Sequence, residues 1–257
     1  MEDPLNLATF DFQKSVVIVD SRRKKIVPGE LNKSLKYAVE HFLATAQFFI
    51  EKEGSFHVAL SGGNTPKTVY EGITSPTYRS CIDWAKVNLY WSDERCVAPY
   101  DPSSNYRMAM EAGLSGVGIP AEQIHRMQAE GNVEEGAAAY NELLLKKLPK
   151  GRFHLVLLGV GEDGHTASLF PGTPALKATN RWVVANRIES KNMQRMTLTF
   201  DCINAAERIV FYAFGSGKAT IVKKVLGRDV RRDEFPSAGV GTEKHPALWI
   251  LDQDANE

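Results

Sequence analysis

Apolar residues along this chain recur with two different periods, and the positions where the period changes mark its elements. From Leu31, the side chains Leu35, Ala38, Val39, Phe42, Leu43, Ala46, Phe49 and Ile50 follow at three- and four-residue steps. That spacing predicts one long helix with a single buried face, stopped at Gly54. Before it, Val16 to Asp20 and Ile26-Val27 are short and β-branched, which predicts an opening strand and turn. After it the period shortens. Phe56 to Leu60 is a compact apolar run ending in Ser61-Gly62-Gly63-Asn64-Thr65-Pro66, and Pro66 suits the first turn of a helix over Lys67 to Ile73.

The alternation persists. Val87 to Trp91 predicts a strand, and Ser104 to Leu114 and Val133 to Leu148 predict helices, the second ended by Pro149. Phe153 to Leu158 reads as a strand apolar on both faces, the kind that lies inside a parallel sheet covered by helices. Trp182 to Ala185, Met196 to Phe200, Ile209 to Phe214 and Ala247 to Leu251 predict further strands, with a helix over Ala219 to Leu226. The predicted class is therefore α/β: a mostly parallel open sheet with helices on both faces, Rossmann-like. No internal repeat and no Pro-, Gly- or Ser-rich linker divides the chain, so one domain over residues 1–257 is expected, with a small subdomain around 98–128 as its only subdivision.

Composition narrows the partners. The 257 residues carry 31 Lys+Arg against 31 Asp+Glu, a formal net charge of zero. Binding nucleic acid or an anionic membrane through the overall field requires a basic excess, and the one basic run, Arg22-Arg23-Lys24-Lys25, sits beside Asp20. Neither partner is expected, and any anion must be recognised by a local site. Cys81, Cys96 and Cys202 contain no C-x-x-C pair, which gives neither a disulfide framework nor a zinc spacing. The start, Met1 to Thr9, carries two acids, and no apolar run approaches the ~18 residues of a membrane span. A soluble cytoplasmic protein, monomeric or weakly homo-oligomeric, is expected.

Open α/β sheets bind ligands beyond the carboxyl ends of their strands, and three loops leave strands at that edge. Ser61-Gly62-Gly63-Asn64-Thr65 opens a helix, where unpaired N–H groups and the helix dipole favour a phosphate; the competing reading is a tight turn with Thr65 as N-cap. Ser92-Asp93-Glu94-Arg95 offers the Arg95 guanidinium to an anion, or ties it up in a surface ion pair with Asp93 or Glu94. Gly159-Val160-Gly161-Glu162-Asp163-Gly164-His165-Thr166 sets an imidazole and two carboxylates among three glycines. Histidine titrates near neutral pH, so His165 can exchange a proton with water, with Asp163 or Glu162 holding its tautomer. Further basic groups are Lys191, Arg195, Lys218 and His245; the Gly215 to Lys218 stretch lacks the spacing of a P-loop, and Lys218 alone could equally be a solvated lysine.

Taken in order, Ala59-Leu60-Ser61-Gly62-Gly63-Asn64-Thr65-Pro66, Ser92-Asp93-Glu94-Arg95 with Asn105-Tyr106, Leu158-Gly159-Val160-Gly161-Glu162-Asp163-Gly164-His165-Thr166-Ala167-Ser168-Leu169-Phe170-Pro171, and Arg195-Met196-Thr197 resemble the 6-phosphogluconolactonase family. The likeness runs from about Leu35 to Asp252 and is most specific in the D-G-H-T-A-S-L-F-P stretch. The related glucosamine-6-phosphate deaminases share the S-G-G-x-T-P turn but carry D-E-Y and D-G-H-I-A-F-N-E-P, where this chain has Arg95 and Ser168 to Pro171. Asn192-Met193 stands where the family commonly has prolines.

The resemblance implies hydrolysis of 6-phospho-D-glucono-1,5-lactone to 6-phosphogluconate, without cofactor, metal or covalent intermediate. It implies His165 as general base toward water, Asp163 as its orienter, and Arg195 as oxyanion stabiliser with Lys191 as second choice. Ser61, Gly62, Gly63, Thr65 and Arg95 are implied to hold the phosphate, with Lys191, Lys218 and His245 as further substrate contacts. A deaminase or isomerase on an amino sugar phosphate, and a non-catalytic sugar-phosphate sensor, are the alternatives. Because a neutral chain cannot steer an anion by its total field, Arg95, Lys191, Arg195 and Lys218 are expected to converge on one crevice.

Overall fold

The computed structural model describes Leu7 and residues 10–257; the rest of the acidic start, Met1 to Thr9, lies outside the described residues. The chain opens with a hairpin of β1 (Val17–Ile18) and β2 (Arg23–Ile26), turned at Asp20, whose carboxylate accepts the Arg22 N–H at 2.9 Å and pairs with Arg23. The basic run is thus a strand with one arginine buried, not an exposed patch. Helix α1 (Leu31–Glu53) buries Ala38, Val39, Phe42, Leu43, Ala46 and Phe49 along the face the periodicity marks. It stops where Gly54 adopts a left-handed φ of 80° and returns its N–H to Ile50 O, a conformation costly for residues with a Cβ.

Strand β3 (Phe56–Leu60), helix α2 (Asn64–Ile73), β4 (Val87–Trp91), β5 (Asp93–Arg95), α3 (Asn105–Glu111) and α4 (Val133–Lys147) follow. Then come β6 (Leu155–Leu158), β7 (Val183–Ile188), β8 (Met193–Leu198), α5 (Phe200–Ala205), β9 (Arg208–Ala213), α6 (Ala219–Val225) and β10 (Ala247–Leu251). Seven strands form one sheet in the order β1-β2-β10-β9-β6-β3-β4, parallel at every pairing except the β1–β2 edge. Both β3 and β6 are buried at every position, the pattern of strands covered on both faces. Around them Phe42, Phe56, Tyr90, Trp91, Phe153, Phe211 and Trp249 are fully enclosed.

Two features depart from the sequence reading. Ser92 to Arg95, expected as a loop, contains β5, which pairs antiparallel with β8 as β8 does with β7 to make a separate three-stranded sheet. The strand expected over Met196 to Phe200 instead spans Met193 to Leu198, after which Thr199 accepts the Cys202 N–H on its hydroxyl and caps α5. A threonine N-cap redirects the chain more strongly than the apolar Phe200 can extend the strand. Residues 98–128 hold α3 and short 3₁₀ turns, and pack Ala109, Ala112 and Leu114 into the same core as the main sheet.

Candidate active site

The order of the main sheet reverses beside β3: its next strand β4 lies on one side, while β6, β9 and β10 lie on the other. Loops leaving β3 and β6 therefore diverge and open a crevice between them. A Cβ on Gly159 would stand 3.9 Å from Ser61 Oγ, so the two loops face each other closely. A cleft of about 240 Å³ lies there, lined by Ser61, Gly62, Gly63, Asp93, Arg95, Asn105, Gly161, His165, Ala167, Arg195 and Lys218 among others. Larger hollows occur, including one of about 430 Å³ against α4, but among the described residues this cleft is the one that gathers the glycine loops, the imidazole and the cations.

The turn after β3 is built to present its backbone. Tyr70, on the buried face of α2, accepts the Ser61 N–H and donates to the Ser61 carbonyl, both at 2.9 Å. Gly62 cannot carry a side chain, because a Cβ would stand 1.9 Å from Asn105 Oδ1. Helix α2 starts at Asn64 with no side-chain cap, so Thr65 lies in its first turn and does not close the helix end. First-turn N–H groups without intrahelical acceptors, at the positive end of the dipole, are left for an anion.

The glycine loop after β6 wraps His165 tightly. Its Nδ1 lies 2.5 Å from Asp163 Oδ1, and its ring stacks on Phe170 at 4.0 Å between centroids. Burial lowers the His165 pKa below the ordinary imidazole value, with the Asp163 hydrogen bond and charge acting against it. For Asp163, burial raises the pKa, but the hydrogen bond and charge of His165 outweigh it and leave the carboxyl below its usual range. The pair near neutral pH is a carboxylate accepting Nδ1–H of a neutral imidazole, which leaves Nε2 with the free lone pair. Gly161 makes this approach possible, since a Cβ there would stand 2.1 Å from the ring.

Arg95 and Arg195 are register partners across β5 and β8, so two guanidinium groups stand side by side in the cleft wall. Arg95 donates to Ser103 O, and the Arg195 Nη1 stands 3.8 Å from Asp93. Lys218 anchors its ammonium on Val160 O at 2.9 Å, which fixes a side chain that sequence alone left as a solvated lysine. Lys191 stands 3.5 Å from Asp163 Oδ2 and 4.7 Å from the centre of the Phe170 ring, on the rim. Arg95, Arg195 and Lys218 therefore line one cleft, and Lys191 stands outside its lining, beside Asp163.

His245 does not join them. Its backbone precedes β10 and its Nδ1 lies 3.3 Å from Glu207 O, just before β9. Both positions are at the amino ends of parallel strands, so His245, expected as a substrate contact, lies at the edge opposite the cleft. Asp93, Asn105 and Ser168 went unassigned in the sequence. Asp93 was weighed only as an ion-pair partner for Arg95, yet it is 5% exposed and accepts hydrogen bonds from both of the others. The signal for Asn105 was Gly62, whose missing side chain makes room for it. Among the described residues no three His, Cys, Asp or Glu side chains converge as metal ligands would, and no helix is long and apolar enough to cross a membrane.

The chain belongs to the family of glucosamine-6-phosphate isomerases and 6-phosphogluconolactonases, whose family model matches residues 30–249. It is 37% identical over 242 residues to a 6-phosphogluconolactonase of Chlamydia trachomatis, covering 94% of this chain and 92% of that one. Among solved structures, the crystal structure of a devB protein superposes with a TM-score of 0.80 at 33% identity, covering 90% of this chain and 96% of the other. The 6-phosphogluconolactonase of Leishmania guyanensis superposes with a TM-score of 0.77 at 27% identity, covering 91% and 97%.

Proposed function

We propose that this protein is a 6-phosphogluconolactonase, hydrolysing 6-phospho-D-glucono-1,5-lactone to 6-phosphogluconate. One observation carries the reading: a neutral His165 held by Asp163 at 2.5 Å shares a cleft with a phosphate-competent turn and paired arginines. The phosphate sits at the start of α2 against Ser61, Gly62, Gly63 and Thr65, with Arg95 and Lys218 beside it. The lactone ring then extends toward His165.

A lactone is an activated ester, so water is a sufficient nucleophile. His165 Nε2 takes a proton from that water as its oxygen bonds to C1, and the charge that forms on the carbonyl oxygen is met by Arg195, with Lys191 on the rim. The ring C–O bond then breaks, and the proton returns from His165 to the departing oxygen. Asp163 keeps Nδ1 protonated throughout, so that Nε2 remains the base. The substrate phosphate carries about −1.5 to −2 near neutral pH, as phosphoryl groups on proteins do, and the local cations match it where the net charge of the chain cannot.

Proton release from freshly made lactone, with spontaneous opening subtracted, tests this directly. Wild-type protein exceeds the background, and His165→Ala loses turnover while still binding 6-phosphogluconate. Full turnover in His165→Ala would remove His165 from the role, and ammonia release from glucosamine 6-phosphate would favour the deaminase reading instead.

A further inference from the structure

Ser168 lies three residues after His165, is fully buried, and has all its polar groups engaged by the second sheet. Its hydroxyl donates to Asp93 Oδ2 at 2.6 Å, its N–H donates to Thr197 Oγ1 at 3.1 Å, and its carbonyl accepts from Asn186 Nδ2 at 2.8 Å. Asp93 and Thr197 are opposite one another in the β5–β8 register, and Asn186 is opposite Arg195 in the β7–β8 register. The strap bearing His165 is thus riveted to the second sheet, at the Asp93–Thr197 rung and at the rung that carries Arg195. Between His165 and Ser168 the backbone takes a left-handed φ of 48° at Ala167, which lines the cleft. A non-glycine residue holds such a conformation only where its surroundings enforce it.

Asp93 is the node of this network. Besides Ser168, it accepts Asn105 Nδ2 at 3.0 Å on Oδ1, and Asn105 is the side chain that fills the space beside Gly62 in the phosphate turn. Its Oδ2 also faces Arg195 Nη1 at 3.8 Å. One carboxylate therefore touches the element behind the phosphate end, the cation, and the strap of the general base. Its neighbour Glu94 points the other way and caps α3 through the Asn105 and Tyr106 N–H groups, both at 2.8 Å. Strand alternation separates the two acids into a cleft-side and a helix-side group.

We propose that Asp93 is a positioning residue that sets the span between the phosphate turn and the His165–Arg195 end of the cleft, and so selects the length of sugar phosphate whose C1 reaches His165. The proposal rests on the lactonase reading for its substrate but not for its geometry. Orientation losses of this kind lower turnover more than binding, because the phosphate contacts survive while the reacting centre drifts. Asp93 also acts on the imidazole electrostatically, raising the His165 pKa, as Asp163 does more strongly, against burial and Lys191. Arg95, Arg195 and Lys218 are the other charged groups in the cleft.

Three variants and an activity-independent readout test this. In Asp93→Asn the shape is kept and the charge removed; kcat for the lactone is expected to fall about 10- to 100-fold with KM changing less than about threefold. The pKa of His165, followed by NMR titration of the imidazole, is expected to move lower than in wild type. Ser168→Ala, which frees only the strap, should lower kcat about 10-fold while leaving that titration within about 0.2 units of wild type. Asn105→Ala, which empties the space beside Gly62 and removes one donor to Asp93 but leaves the Ser168 link intact, should raise KM instead. A purely structural Asp93 would reduce the fraction of folded protein and leave both the His165 titration and the kcat-to-KM pattern of the folded part unchanged; that result overturns the proposal. If Asp93→Asn does not fold, the opposite signatures of Ser168→Ala and Asn105→Ala decide, and identical effects from the two would sink the idea. Absence of lactone hydrolysis by the wild type would refute the functional reading, whereas a His165 titration unmoved in Asp93→Asn would refute this one.

Discussion

The Tyr70 hydroxyl closes a reciprocal pair with the Ser61 backbone, accepting its N–H and donating to its carbonyl at 2.9 Å each. Tyr70 is fully buried on α2, and Ser61 begins the turn at the end of β3, so one phenol ties the helix to the turn that the same helix follows. Tyr70→Phe would leave a buried N–H and C=O without this partner, which costs about 1–3 kcal/mol. A loss of that size in denaturant unfolding, together with a raised KM for the lactone, is the expected outcome; an unchanged KM would show that the turn holds its shape without the phenol.

Gly161 is required by contact with the His165–Asp163 pair. A methyl group there would stand 2.1 Å from the His165 ring and 2.8 Å from Asp163 Oδ1. Gly161→Ala is expected to fold, because the loop lies at the surface of the cleft, and to lose most of its turnover as the ring is displaced. Near wild-type kcat in that variant, measured alongside its unfolding curve, would contradict the tight packing.

The paired arginines should separate kinetically. Arg95→Ala is expected to raise KM with a smaller effect on kcat, because the proposed phosphate contact would serve ground state and transition state alike. Arg195→Gln should lower kcat by about 10²–10³, the usual cost of an oxyanion donor. Steady-state kinetics on fresh lactone distinguishes the two, and interchange of the two signatures would reverse the assigned direction of the substrate.

Activity should persist into mildly acidic solution. In the proposed role His165 acts as its neutral form, and burial lowers its pKa despite Asp163. The rate therefore rises with pH through a pKa lower than the ordinary imidazole value of about 6.5 and is level above it. A kcat/KM profile whose acid limb lies above that value would mean that Asp163 outweighs burial.

Stability has a separate acid dependence carried by buried histidines that do not line the cleft. Burial pushes His57 and His125 down to about 4 and His41 down to about 3. These rings are neutral when folded and take up protons more readily when unfolded, so their contribution is complete above about pH 6.5 and is lost as pH falls toward 4. The unfolding free energy from denaturant titrations should drop across that window by an amount on the order of a few kcal/mol. His125→Phe, which keeps a ring stacked on Tyr90 at 4.6 Å and removes an unpartnered Nε2, should flatten the fall. A slope identical to wild type would exclude His125 as a contributor.

Local order along the chain was legible in the sequence because its causes are local. The face of α1, its stop at Gly54, the buried strands β3 and β6, and the glycine turns that follow them rest on side-chain period and backbone freedom, both readable from neighbouring residues. The motif residues His165, Asp163, Arg95 and Arg195 were legible for the same reason. Tertiary structure alone decided which of the basic residues meet. His245 and Lys218 looked alike in the sequence, but the parallel direction of β9 and β10 sends one to the amino edge and the other to the cleft. It also decided the role of Asp93, because its partners Asn105, Ser168 and Arg195 are 12, 75 and 102 residues away and meet it only when the second sheet pairs. The sequence settled where an anion-handling site could form, and the closure of β5 onto β8 settled what holds it together, since a buried carboxylate needs donors that no local segment supplies.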